Sequence, residues 1–443
     1  MSVVPDIRLD ARLDVRLAVA RLDAWLDTMR GPDGYTGPVS HWWQNCLFYT
    51  GPGLDWRYEG VMHGYLTLFE RTGEAVWLAK ARRAGNDLRA GQLASGHFQS
   101  SCFELNPYTG GTPHEAACDL ALLMLAETLE RLGHTDWRTY RETAERNIRA
   151  AQLGRLWDAV AGVLRDDPVT PTFVPNKAAT LAEAILALAR VSDDGIILIE
   201  RYALPILDHI RGHQIQDGPL RGGIWQNTYK SEHVEKLFPF YVARCVPALA
   251  EGYKASGDER YLASAIEAMD FVLRFRDADG GFPQVVYPDS TRNTYPRWIA
   301  GAADVLRAIE TLRPHGYDAD LEPTLSWLLA AQSPSGAFPT AEGFSAQTAR
   351  GQVNAMPSFR DLLPVVGWND KVFRFLTSLL PDGVQLPSVS SAPYQTLCAY
   401  EKAAGTWFET PGRLELRVKN AVVYRWEKGT PWASVAAPEL AWK

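Results

Sequence analysis

The chain has 443 residues, of which 46% are hydrophobic and 22% charged, with a formal net charge of −7. That is ordinary globular composition, in a chain long enough to bury a large core without staples. No basic block suggests a nucleic-acid surface, no stretch has the apolar length of a membrane span, and the N-terminal MSVVPDIRLDARLD lacks a signal-peptide core, so a cytoplasmic protein is expected.

In chain order, amphipathic helices are predicted over 15–29, 76–91, 137–152, 197–212, 261–276 and 321–332, each with one apolar stripe and one charged face. One polar face means one side in water, so these form an outer layer. Each is followed by a glycine with an aromatic or aliphatic residue: Gly34-Tyr35, Gly96-His97-Phe98, Gly162-Val163-Leu164, Gly223-Ile224-Trp225, Gly281-Phe282-Pro283 and Gly336-Ala337-Phe338-Pro339. The signature returns roughly every sixty residues, longer than the usual helix-pair solenoid repeat. After each signature comes a loop and a second helix richer in small and apolar residues, at 58–73, 114–133, 177–191, 235–257, 295–312 and 359–380. Such helices fit a buried inner layer.

Several inner helices end in a charged residue and a glycine, as at Arg71-Thr72-Gly73 and Ser256-Gly257-Asp258, which reads as a C-cap and tight turn. Loops at that end are short. Loops at the other end are long and aromatic, and function concentrates on elaborated loops of a rigid scaffold. The stretch 384–443 breaks the rhythm, and GRLELRVKNAVVYRW suggests one β-hairpin. The expected organisation is therefore all-α: a ring of six helical hairpins over 1–383, with 384–443 as an appendage packed on it. Cys46, Cys102, Cys118, Cys245 and Cys398 are widely spaced with no CxxC pair, which fits buried free thiols rather than a zinc or redox site.

Outer helix, glycine–aromatic turn and inner helix, repeated over residues 12–380, resembles the (α/α)6 toroids of six-hairpin glycosidases, toroidal polysaccharide lyases and sugar epimerases. Asp279-Gly280-Gly281-Phe282-Pro283 and Gln332-Ser333-Pro334-Ser335-Gly336-Ala337-Phe338-Pro339 carry the likeness most clearly, and they also resemble repeats of terpene cyclases and prenyltransferases. The resemblance implies a fold, and no family's catalytic motif transfers residue by residue.

Candidate functional residues lie just before each inner helix and in its first turns. The catalytic candidates are Asp55, Glu59, Asp119, Tyr229, Glu232 and His233. Asp119 stands out because a carboxylate in an apolar helix needs a partner or a task. Asp55 reads equally well as a helix cap. The binding candidates are His41, Trp42, Trp43, Trp56, Arg57, His97, His114, Asn176, Trp225, Gln226, Asn227, Lys230, Tyr295, Arg297 and Trp298, because aromatic rings beside amides, imidazoles and guanidiniums suit a sugar's apolar face and polar edge. The segment from Trp225 to His233 is the densest of these.

Three chemistries compete. Glycoside hydrolysis needs two facing carboxylates, one kept protonated, and is placed narrowly first. Uronate elimination or epimerisation needs a Tyr, His or Lys base with an amide or arginine neutralising the substrate carboxylate. An isoprenoid cyclase would use an aromatic lining, but no DxDD or paired DDxxD motif is present. No phosphate loop, dinucleotide fingerprint, GxSxG or HExxH occurs, so no cofactor or metal is expected, and the expected partner is an oligo- or polysaccharide.

Overall fold

A computed structural model describes residues 9–40, 45–46, 49–101, 115–169, 171–229, 232–346, 356–400 and 403–436. The odd-numbered helices form the outer layer: α1 (Leu9–Thr28), α3 (Ala75–Ala90), α5 (Trp137–Arg146, prolonged by a π-turn over Asn147–Leu153), α7 (195–212, with a π-turn over Ile199–Ala203), α9 (Glu259–Arg274) and α11 (Glu322–Ala330). The even-numbered helices form the inner layer: α2 (Arg57–Thr72), α4 (Ala116–Arg131), α6 (Pro175–Ala189), α8 (Pro239–Ser256), α10 (Ala302–Leu312) and α12 (Val366–Ser378).

The inner helices pack in sequence, α2 on α4, α4 on α6, α6 on α8, α8 on α10 and α10 on α12, and α12 returns to α2. The cycle of contacts is closed. Each outer helix packs on the inner helix before it, so the last inner helix α12 is backed by α1, from the other end of the chain. The short turns follow the cap chemistry expected. Gly73 and Gly257 are left-handed C-caps whose N–H groups donate to Phe69 O and Tyr253 O. Proline at the first position starts α6 and α8, where a missing N–H costs nothing.

The glycine signatures weld neighbouring hairpins. Gly336 has φ +100°, and a Cβ there would lie 2.1 Å from the Arg21 carbonyl of α1, so only glycine lets the sixth turn seat against the first helix. In the fourth and fifth copies the left-handed residue is the first of the pair, Gly222 and Gly280, one residue ahead of the expected position. A glutamine clamp accompanies the turn. Gln332 Nε2 donates to Gly336 O (2.8 Å) and to Ala18 O of α1 (2.9 Å). Gln92 bonds Gly96 O and Thr143 O in the same way, and Gln214 bonds Gly222 O and Ser264 O.

Two expectations need correction. The helix predicted over 359–380 divides into a turn at Phe359–Leu362 and α12, because Pro364 disfavours a helical residue before it. The C-terminal stretch is not one hairpin but a five-stranded antiparallel meander: β1 (Tyr394–Tyr400), β2 (Ala403–Thr410), β3 (Arg413–Val418), β4 (Ala421–Glu427) and β5 (Ser434–Val435). Its buried face carries Trp407, Leu414, Leu416 and Trp426. Buried Glu409 fixes it to the ring by accepting from Trp25 Nε1 (2.8 Å), Ser335 Oγ (3.0 Å) and Lys428 Nζ (3.0 Å). Cys118, Cys245 and Cys398 are free and buried.

Candidate active site

The inner helices begin at one mouth of the ring, and there they enclose a cavity of about 110 Å³. Trp56 and Trp368 contribute indoles, Tyr241 a phenol, Asn176 and Gln226 amides, and Arg244 and Lys371 cations. Trp56 is held by an Nε1 bond to Gly367 O (3.1 Å). Trp298 stands behind this wall, buried and stacked on Phe240, with Tyr241 and Trp368 against its other edges.

The floor is a hub of charge. Glu59, fully buried in the first turn of α2, accepts two bonds from Arg244 of α8 (2.8 and 2.7 Å) and one from Lys371 of α12 (3.2 Å). Arg374 of α12 donates to the same carboxylate, and Arg307 of α10 lies 4.0 Å away. Burial opposes ionisation, but Arg244, Lys371, Arg374 and Arg307 outweigh it and hold Glu59 well below the usual carboxylate range. Glu183 of α6 joins through Arg307 (2.6 Å). One carboxylate thus draws side chains from three other inner helices to the axis of the ring.

Not every atom of the hub is satisfied. Arg244 is 6% exposed, and its Nη1 has no hydrogen-bond partner, with Asp304 of α10 at 3.7 Å. Asn176 Oδ1 is likewise unpartnered. Burial works against charge on Arg244, but Glu59, Asp304 and Glu183 raise its pKa, so it stays cationic. Asp370 is pushed up to about 7 by burial, against the pull of Lys371 at 2.6 Å. One turn below Glu59, burial and Arg374 keep His63 neutral. The cavity floor therefore presents one guanidinium donor, Arg244 Nη1, without a hydrogen bond among the described residues, and a buried donor left unmade is costly unless something fills it.

Of the residues singled out from sequence, Glu59, Trp56, Asn176 and Gln226 come together at this cavity. Asp55 instead bonds Arg57 through Nε (2.8 Å), Nη2 (3.0 Å) and the backbone N–H (3.1 Å), and Arg57 also donates to Tyr35 O, so this pair knits the entry to α2. His97 bonds Glu115, which also accepts from Phe98 N, Ser101, Asn147 and Gln152. The π-turn of α5 brings Asn147 and Gln152, five apart, onto that one carboxylate. Asp119 is buried, neither oxygen has a hydrogen-bond partner among the described residues, and burial with nearby Glu115 raises its pKa well above the ordinary value. It does not line the cavity.

Glu232 and His233 are exposed on a two-stranded ribbon that pairs Thr228-Tyr229 with them. His233 stacks on Trp225 (5.6 Å) and meets His213 edge-on, away from the cavity lining. Asn227 Nδ2 turns back to Thr228 O. Arg297 is engaged by Asp277, Asp279 and Glu342, and Tyr295 lies beside it. The ring of Tyr229 and all of His41, Trp42, Trp43, His114 and Lys230 lie outside the described residues. Among the described residues no cluster of three His, Cys, Asp or Glu converges as a metal site.

Sequence reasoning passed over Tyr241, Arg244, Asp304, Arg307, Trp368, Lys371 and Arg374. A usable signal was present: Arg244 in VARCV and Asp304 in AADVL are charges in helices otherwise built of small and apolar residues.

A family model described as pectic acid lyase matches residues 243–313, the segment that carries Arg244, Asp304 and Arg307. No curated protein matches the chain by sequence. Among solved structures, a D-mannose isomerase superposes with a TM-score of 0.62 at 12% identity, over 84% of this chain and 99% of that one. A cellobiose 2-epimerase from Bacillus thermoamylovorans B4167 gives 0.59 at 12%, over 82% and 98%. An unsaturated glucuronyl hydrolase specific for heparin gives 0.57 at 13%, over 84% and 96%. At such identities the likeness establishes a shared fold.

Proposed function

We propose that the chain is a carbohydrate-active enzyme on an (α/α)6 toroid, and that its cavity binds the carboxylate of a uronate sugar for β-elimination. The observation that carries this reading is the buried guanidinium at the floor: among the described residues Arg244 Nη1 has no hydrogen-bond partner, with Asp304 at 3.7 Å, and it shares the lining with Lys371, two indoles and two amides. A guanidinium with an unused donor suits a carboxylate, and stacked indoles suit the apolar face of a sugar ring. The match of 243–313 to pectic acid lyase, together with fold neighbours that handle sugars, supports the same class.

Elimination displaces the hydrolysis favoured by sequence because hydrolysis needs a carboxyl that holds a proton at the cavity. Of the two carboxyls in the lining, Glu59 is kept ionised by its cations and Asp304 faces the Arg244 guanidinium at 3.7 Å, and Asp119, the acid that burial keeps neutral, is not in the lining. In elimination a phenolate base removes the proton on the carbon next to the carboxylate, the freed electron pair forms a C=C bond to the neighbouring carbon as the bond to the leaving glycosidic oxygen breaks, and that oxygen takes the proton back from the phenol so formed. Cations on the carboxylate make the first step feasible by stabilising the charge that spreads onto it. Tyr241, a phenol on the cavity wall, is the base in this scheme, with Asn176 Nδ2 as a second donor to the carboxylate.

The test is incubation with uronate-containing and with neutral oligosaccharides, following unsaturated-uronate absorbance beside reducing-end release. Absorbance growth on the uronates is expected, falling by roughly 10²–10⁴-fold in Tyr241→Phe. Reducing ends from neutral sugars without absorbance would replace elimination with hydrolysis.

A further inference from the structure

A second, roomier cavity among the described residues lies away from the ring's axis. It is an open groove of about 1260 Å³ on the outer face, between α1 and α3, floored by the loops that follow them. Nothing in the elimination scheme uses it.

Three features of the groove point to a glycan. At its edge sits Tyr49, whose hydroxyl donates to Pro52 O (2.6 Å). Against that ring, at 5.4 Å and nearly perpendicular, stands Trp432 from the loop between β4 and β5, which remains 60% exposed. An indole left in water but braced by a second ring offers a rigid apolar face at little entropic cost. The loop carrying it is fixed rather than free, since Thr50 N–H donates to Pro431 O (2.9 Å) and Trp426 Nε1 donates to Thr430 O (2.9 Å).

The rest of the lining supplies hydrogen bonds with a near-balanced charge. Arg30 and Asp87 form a two-point pair at 2.7 Å and are spoken for. Arg83 is half exposed, and its contact with Asp27 is 4.0 Å long, which leaves its donors open. Asn86 and Gln99 add amide groups along the wall. Stacking rings, amides and one open guanidinium are the means by which a surface holds a polar ring with an apolar face. The loop entering α2 contributes to both, since Leu54 lines the groove and Trp56, two residues on, lines the cavity.

We propose that this groove is a second glycan-binding site, which holds a polysaccharide chain on the outside of the ring while one of its ends is processed at the mouth. Only the sugar class rests on the proposed function. The C-terminal sheet acquires a purpose here, because the loop between its last strands sets Trp432 against Tyr49 at the edge of a groove otherwise made by the first two outer helices and the loops that follow them.

Electrophoresis of the full chain through gels containing polygalacturonate, dextran or no polymer tests this directly. The wild type should be retarded by at least one polymer, Trp432→Ala should weaken that retardation about fivefold or more, and Trp432→Phe should keep most of it. Turnover of a short uronate oligosaccharide should be the same in Trp432→Ala as in the wild type, with an unchanged melting temperature. Retardation equal in Trp432→Ala and wild type overturns the proposal, and so does a wild type that neither polymer slows. If uronates are not turned over but retardation still depends on Trp432, elimination fails and the groove stands.

Discussion

Glu59 and Asp119 sit near the starts of adjacent inner helices, both fully buried, and their charges are opposite in fate. Glu59 has cations from three helices around it and is held ionised. Asp119 has no hydrogen-bond partner among the described residues, and burial holds it neutral. Burial alone therefore does not decide whether a carboxylate in this ring is charged; the neighbouring helices do. Glu183, on α6, is intermediate in its partners, with one oxygen on Arg307 and the other without a hydrogen bond among the described residues. The three acids differ in how many cations the neighbouring helices bring to them.

The largest effect should come from the most connected acid. Glu59→Gln leaves Arg244, Lys371 and Arg374 facing one another without their anion, and should cost about 3–5 kcal/mol at neutral pH, read from the urea midpoint. Because its folded-state pKa is depressed, its contribution is fully present above the unfolded value near 4.5 and fades as pH falls toward the folded one. Wild type and variant should therefore converge on acidification. A loss below about 1 kcal/mol would mean that the cations are served by other groups and that the hub is ornamental. Glu183→Gln removes a single charged bond and should cost about 1–3 kcal/mol by the same measurement.

How much of this was readable in the chain depends on the range of the interactions. The helices and their turns were legible because 3.6-residue periodicity and left-handed glycines are local, so Gly73, Gly257 and Gly336 announce themselves. The hub was not legible. Lys371 and Arg374 look like ordinary charges in an amphipathic helix, and only ring closure, bringing α12 onto α2, shows that they face Glu59. The crowded segment Trp225–His233 misled for the converse reason. Its mixture of ring, amide and acid matches a site, yet Glu232 and His233 point outward on a ribbon while Gln226 alone of the described side chains reaches the cavity lining. The sheet was undercounted because β1, Tyr394–Tyr400, lacks the apolar–polar alternation that RLELRV of β3 shows in sequence, and in the fold its Leu397 is exposed while Cys398 to Tyr400 are buried in succession.

The smallest effect is the most diagnostic for the comparison, because its sign is opposite. Asp119 has a raised pKa in the folded protein, so between the unfolded value near 3.8 and the folded one the native state holds a proton that the unfolded chain has lost. Over that window stability falls with rising pH by about 1.4 kcal/mol per unit. Asp119→Asn cannot ionise and has no such slope. Relative to wild type, the variant should therefore gain about 1–2 kcal/mol between pH 4 and pH 5, whereas Glu59→Gln should lose ground to wild type over the same rise. Denaturant midpoints of the three proteins across acid pH decide it. Parallel curves for wild type and Asp119→Asn would mean that Asp119 is charged in the folded ring and that burial does not set its state.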